Sequence, residues 1–103
     1  MPRFKTTIPV DDYVLDVLLR DIVGHDRQPA AFLVYLFLYG RAARQHWRPV
    51  GAGLGAIADE TGLSRSAVQA AMARLRYRKL IDTERENATA TPRHRVRRHW
   101  RDN

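Results

Sequence analysis

The sequence predicts one mainly α-helical domain closed by a small β-hairpin, and three observations carry the prediction. Its 103 residues suffice for a single hydrophobic core and leave no room for a two-domain nucleotide enzyme. Four stretches within about 11–45 and 54–79 repeat apolar residues at helical spacing, between glycine, proline and serine punctuation. Two short extended stretches follow, Leu80 to Glu86 and Arg93 to Trp100, joined by the turn-rich Asn87 to Pro92. With 45% apolar and 9% aromatic residues the chain has the material for a core, which argues against disorder throughout.

Asp11 or Asp12 is placed to cap the first helix, on which Val14, Leu15, Leu18, Leu19 and Ile22 recur at helical spacing, and Gly24 is its expected stop. Past the polar loop His25 to Gln28, Pro29 suits a first helical position and opens a second helix running to about Arg44. From Phe32 to Tyr39 that helix is apolar on every side, so it is either a central core helix or a core helix that also serves a subunit interface. Trp47 to Ala52, interrupted by Pro49, reads as an edge strand or extended linker. A third helix spans about Leu54 to Thr61 and ends at Gly62. Ser64 caps a fourth, which carries Val68, Ala71, Met72 and Leu75 on one face and ends near Lys79.

Charge narrows the partner. The chain holds 18 basic and 11 acidic residues, a formal +7, and residues 64–101 alone hold eleven basic against three acidic ones. An anionic partner for the C-terminal half is expected. Arginine supplies 16 of the 18 cations, which suits bidentate contacts to phosphate and guanine and equally fits a GC-rich genome. Arg93, Arg95, Arg97, Arg98 and Arg101 place five like charges in nine residues, a costly arrangement without a polyanion. The absence of cysteine excludes disulfides, thiol nucleophiles and cysteine metal sites. Met1 to Val10 lacks the apolar run of a signal peptide, and the most apolar run, Ala30 to Tyr39, is about half a membrane span, so a cytoplasmic protein without a membrane partner is expected.

The segment Leu54 to Leu75 meets the demands of a helix-turn-helix one by one. Ala58 is small where two helices must cross, Gly62 permits the positive φ of a three-residue turn, and Leu63 plugs the corner. Ile57, Val68 and Ala71 face inward. Ser64 caps the second helix and leaves Arg65, Ser66, Gln69 and Ala70 on its exposed leading turns. On these residues, and with a basic hairpin after Arg78-Lys-Leu-Ile81, the chain resembles the winged helix-turn-helix domains of MarR-like and GntR-like bacterial regulators. The resemblance covers about 22 residues closely and about 50 loosely. It implies that the helix after the turn enters the major groove and that the wing lies on the backbone or in the minor groove. Those DNA-binding roles fall on Ser64, Arg65, Ser66, Gln69, Arg74 and Arg76, and on Arg93, Arg95 and Arg97 of the wing.

Other chemistries find less support. Gly51 to Ala56 fits the loose dinucleotide pattern G-x-G-x-x-G/A, but the ribose-binding acid about twenty residues on is missing, where Arg74, Arg76, Arg78 and Lys79 stand. His94-Arg-Val-Arg97 has the H-x-x-R look of a tyrosine recombinase, yet Tyr77 precedes the histidine instead of following it. His25, His46, His94 and His99 lack metal-ligand spacing and read as surface or polar contacts. Asp11 with Asp12 and Asp59 with Glu60 are adjacent pairs that point different ways on a helix, and Ser64 and Ser66 have no histidine beside them. Trp47 and Trp100 could stack on bases, but packing back on the helical body is the more ordinary role. No enzyme, metal or cofactor is expected, and no effector pocket is visible.

The expected function is therefore sequence-specific binding of double-stranded DNA in transcriptional regulation. The alternatives are a replication, partition or conjugation accessory protein of a mobile element, and a winged-helix module for protein or RNA. Pairing of the second helix with its copy predicts a homodimer reading half-sites roughly 10 base pairs apart. Closure of that helix by the first helix, Phe4 and Ile8 predicts a monomer.

Overall fold

The apolar helix expected after Pro29 forms as α1 (Pro29–Arg44) in a computed structural model, which describes residues 6–101. Pro29 stands in its first turn, where a missing N–H costs nothing. Seven of its sixteen residues are buried: Ala31, Phe32, Val34, Tyr35, Leu38, Tyr39 and Ala42. Around it the chain runs in the order π-helix (Val14–His25), α1, β1 (Val50–Gly51), α2 (Leu54–Thr61), α3 (Arg65–Tyr77), β2 (Ile81–Glu84) and β3 (Arg93–Val96), then a single 3₁₀ turn, His99–Arg101. The strands form one antiparallel sheet in the order β1-β3-β2, with Val50 opposite His94 and Ile81 opposite Val96. The result is a helix-rich domain with a small three-stranded sheet. Its core is one cluster drawn from the π-helix, all three α-helices and the sheet.

The first helix departs from its expected form in three ways. It is wound in the wider i→i+5 register, and it buries Val14, Leu18 and Ile22. Leu15 and Leu19 lie off the buried stripe, 51% and 41% exposed. Gly24 does not stop the helix, which continues to His25. The left-handed residue is Arg27, at φ 56°, and Gln28 N–H closes back on the Ile22 carbonyl at 2.9 Å. Neither Asp11 nor Asp12 caps it, because no side-chain cap bond forms at its N-terminus. Asp11 instead accepts Trp100 Nε1–H at 2.8 Å and a two-pronged contact from Arg101 at 2.6 and 2.7 Å. The two ends of the described chain are thereby tied together.

The strands are shorter than the sequence patterns. Only Val50–Gly51 of the Trp47 to Ala52 stretch pairs, at an edge, as Pro49 requires. The last strand ends at Val96, with one further bond from the Arg97 N–H to the Leu80 carbonyl at 2.8 Å, and Trp100 turns back to stack on Tyr13 at 4.7 Å between ring centres. The hydroxyls of α1 are used: Tyr35 donates to the Arg97 carbonyl at 2.8 Å, and Tyr39 accepts the Asp11 N–H at 3.1 Å. One flank of α1 stays partly open. Leu33 is 49% exposed, Leu36 and Phe37 are half-buried, and Arg41 lies over the Phe37 ring at 4.9 Å while pairing with Glu60. Ile8 is half-buried, and Phe4 lies outside the described residues.

Candidate nucleic-acid interface

The turn between α2 and α3 is built by its own side chains. Gly62 takes φ 81°, a left-handed conformation that glycine adopts without penalty, and its N–H bonds the Ala58 carbonyl at 2.9 Å. Thr61 Oγ1 donates to the Ile57 carbonyl and accepts the Leu63 N–H, so the corner is closed from inside. Ser64 Oγ accepts the Ala67 N–H at 3.1 Å, capping α3 as its position predicts. Ile57, Ala58, Val68 and Ala71 are buried where the helices meet, and Leu63 is half-buried.

That packing leaves one side of α3 in water. Ser64, Arg65, Ser66, Gln69, Ala70, Ala73, Arg76 and Tyr77 are exposed, and no acidic residue occurs between Glu60 and Asp82. The Arg65 guanidinium rests against the start of α2, 3.7 Å from where a Cβ on Gly55 would stand. The exposed side has two edges. Along one, Ala70 and Ala73 floor an open groove beside Gln28, walled by Arg74 and by Tyr77, which is 76% exposed with the Arg74 guanidinium 5.2 Å from its ring centre. Along the other, Gln69, Met72 and Arg76 face Thr83, Arg85, Pro92 and His94 of the hairpin across a cleft of about 180 Å³.

A hydrogen-bond chain fixes that cleft. His94 is only 3% exposed, and its Nε2–H donates to the Ala52 carbonyl at 2.8 Å. Its Nδ1 then accepts from the Thr83 hydroxyl at 2.9 Å, and Thr83 Oγ1 accepts from Arg76 at 3.3 Å. Burial holds the imidazole below its ordinary pKa and keeps it neutral, reinforced by Arg76 and Arg85. The C-terminal end of α3 is fixed separately. Arg78 reaches the loop before α1 and grips Asp26 at 2.8 and 2.9 Å, and this hydrogen-bonded pairing lowers the Asp26 carboxyl to about 2 against the opposing effect of burial.

The structure separates the expected site residues into two groups. Ser64, Arg65, Ser66, Gln69 and Arg76 share the exposed side of α3, with Arg74 on its groove edge. Arg93, Arg95 and Arg97 project elsewhere. Along β3 and one residue past it, His94 and Val96 are buried while Arg93, Arg95 and Arg97 are exposed, the period-2 alternation of a strand with one covered face. Arg76 reaches the covered face through Thr83, the cross-strand partner of His94, so the three arginines stand on the opposite face from α3. Nor are they all free: Arg97 pairs with Asp82 at 2.8 Å and Arg93 with Glu86 at 3.8 Å. Of the five clustered arginines, Arg101 is taken by Asp11 and Arg98 lies over Trp47, so internal partners offset much of the repulsion the sequence implies. Arg85, which lines the cleft on the α3 side of the hairpin, is one that sequence reasoning missed; it lies just past β2, and its side follows only from the register of β2 against β3.

Among the described residues no group of three His, Asp or Glu side chains gathers as a metal site, and no helix is long and apolar enough to cross a membrane. No family model, no curated protein and no solved structure gives a significant match to the chain.

Proposed function

We propose that the chain is a winged helix-turn-helix protein that binds double-stranded DNA and regulates transcription. In this reading α3 enters the major groove, and the hairpin's Arg85 and loop meet the adjacent backbone. One observation carries it: an α3 side without acids, with Arg65, Ser66 and Gln69 exposed on its first turns and Arg76 held toward the hairpin by Thr83. Arginine and amide side chains on a leading turn match the donor and acceptor pattern of base edges, whereas a protein-binding face carries more Leu, Phe or Tyr. The half-exposed strip Leu33, Leu36 and Phe37 on α1 supports a homodimer through that helix.

Selection of bound sequences from random duplex DNA tests the reading. A single enriched motif is expected, bound with a log K against log salt slope of about −4 to −6 if roughly five to seven phosphates are neutralised. Failure to enrich any sequence, together with a slope near zero, contradicts it.

A further inference from the structure

The outer face of the sheet carries a second cationic feature that the α3 reading leaves unused. Where β3 runs out, a cleft opens between Arg95, Arg97, Arg98 and Arg101 and the indole of Trp47. Asp82 and Asp11 occupy Arg97 and Arg101, but Arg95 and Arg98 have no acidic partner among the described residues. The backbone is strained to build it. Trp47 takes φ 63° directly after His46 at φ 60°, two consecutive non-glycine residues in the left-handed region. The Trp47 N–H, bonded to the Ala42 carbonyl at 2.7 Å, and the edge-on contact of its ring with Tyr39 at 4.8 Å hold that conformation. Its consequence is a flat shelf on which the Arg98 guanidinium lies 3.5 Å from the ring centre.

We propose that this cleft is a second phosphate-binding site, which takes the phosphodiester backbone of a nucleic-acid segment other than the one facing α3. Arg95, Arg97 and Arg98 line this one open cleft as a row of cations, of which, among the described residues, only Arg97 is answered, by Asp82, the cross-strand neighbour of Arg95. A row suits a linear polyanion; a single small anion is better held by an enclosing pocket. The sheet lies between this row and α3, so one straight duplex cannot fill both. The protein would then hold two nucleic-acid segments together.

The test is an NMR titration of the full chain with an unlabelled random-sequence duplex of about 12 base pairs, following the Trp47 indole N–H and the Arg98 Nε–H. Both signals are expected to shift saturably. They should still do so in a variant carrying Arg65→Ala and Gln69→Ala, in which the response of the Ser64–Gln69 amides weakens. Arg95→Ala should weaken the Trp47 response by about tenfold, as loss of one charge-assisted phosphate contact implies, and leave the α3 response within about twofold. Arg98→Gln should do the same, each variant retaining wild-type signal dispersion. A Trp47 signal that never moves overturns the proposal. So does one that weakens in parallel with the α3 response in the Arg65→Ala, Gln69→Ala variant, because the two sites would then be one. An equal Trp47 response to a deca-glutamate peptide overturns the assignment to phosphate. Loss of the α3 response alone, with Trp47 still shifting, counts against the major-groove reading and not against this site.

Discussion

Helices α1 and α3 are of similar length and differ in how much of each is buried. α1 sinks seven of sixteen residues into the core and uses both tyrosine hydroxyls to tie distant segments together. α3 sinks four of thirteen, Val68, Ala71, Met72 and Leu75, and turns arginine, serine and glutamine outward. α1 supplies more of the core, and α3 keeps more side chains in water. Exposed residues of α3 can vary with little cost to stability, while the seven buried residues of α1 cannot.

The largest effect should come from the core. Leu38→Ala removes a fully buried side chain of α1 and is expected to destabilise by roughly 2–5 kcal/mol in urea unfolding, against less than about 0.5 kcal/mol for Gln69→Ala. Similar losses for the two would erase the contrast.

Next is the acid limb of stability. Asp26, lowered to about 2 by Arg78, contributes stability that is fully present above the ordinary carboxylate value of 3.8 and is lost as pH falls through 2. The loss should be on the order of 2 kcal/mol. Asp11, lowered by Arg101 and Trp100, acts in the same direction. His94 acts earlier: its folded pKa lies below 6.5, so the unfolded chain takes up the proton first and stability begins to fall as pH drops below that value. Urea midpoints measured from pH 8 to pH 2 should decline in two stages, and Asp26→Asn should shrink the second.

A smaller effect sharpens the account of α3. Thr83→Val keeps the shape of the side chain and removes the link between His94 and Arg76, leaving a buried imidazole nitrogen without its donor. About 1–2 kcal/mol of stability should be lost, and the Arg76 Nη1 signal should move toward that of a free arginine. The smallest change has the opposite sign. Lys79 closes α3 at φ 60°, with the Leu80 N–H on the Leu75 carbonyl at 2.9 Å, so Lys79→Gly should stabilise by roughly 0.5–1 kcal/mol.

These contrasts show how far the sequence could be read. Proline at the head of α1, glycine at the α2–α3 corner and serine at the α3 cap each have a local physical reason, and each stands where that reason puts it. The π register of the first helix has none, since Val14, Leu18 and Ile22 at spacing four fit either winding, and only packing against α1 decides between them. Asp11 looked like a cap because its true partners, Trp100 and Arg101, lie about ninety residues away. Arg93, Arg95 and Arg97 are legible in the sequence as part of a charge cluster, and their common face follows from strand alternation. Which face that is, and that Asp82 and Glu86 answer two of them, required the register of β2 against β3.

The central claim is that the exposed side of α3 reads base sequence. Its most direct measurement is the ratio of affinities for the selected site and for random duplex at one salt concentration, in the wild type and in Arg65→Ala and Gln69→Ala. Each substitution is expected to cost roughly 1–3 kcal/mol on the selected site and to relax base preference at one position, so the ratio falls. Arg95→Ala should leave it unchanged. A ratio that survives both α3 substitutions contradicts the claim.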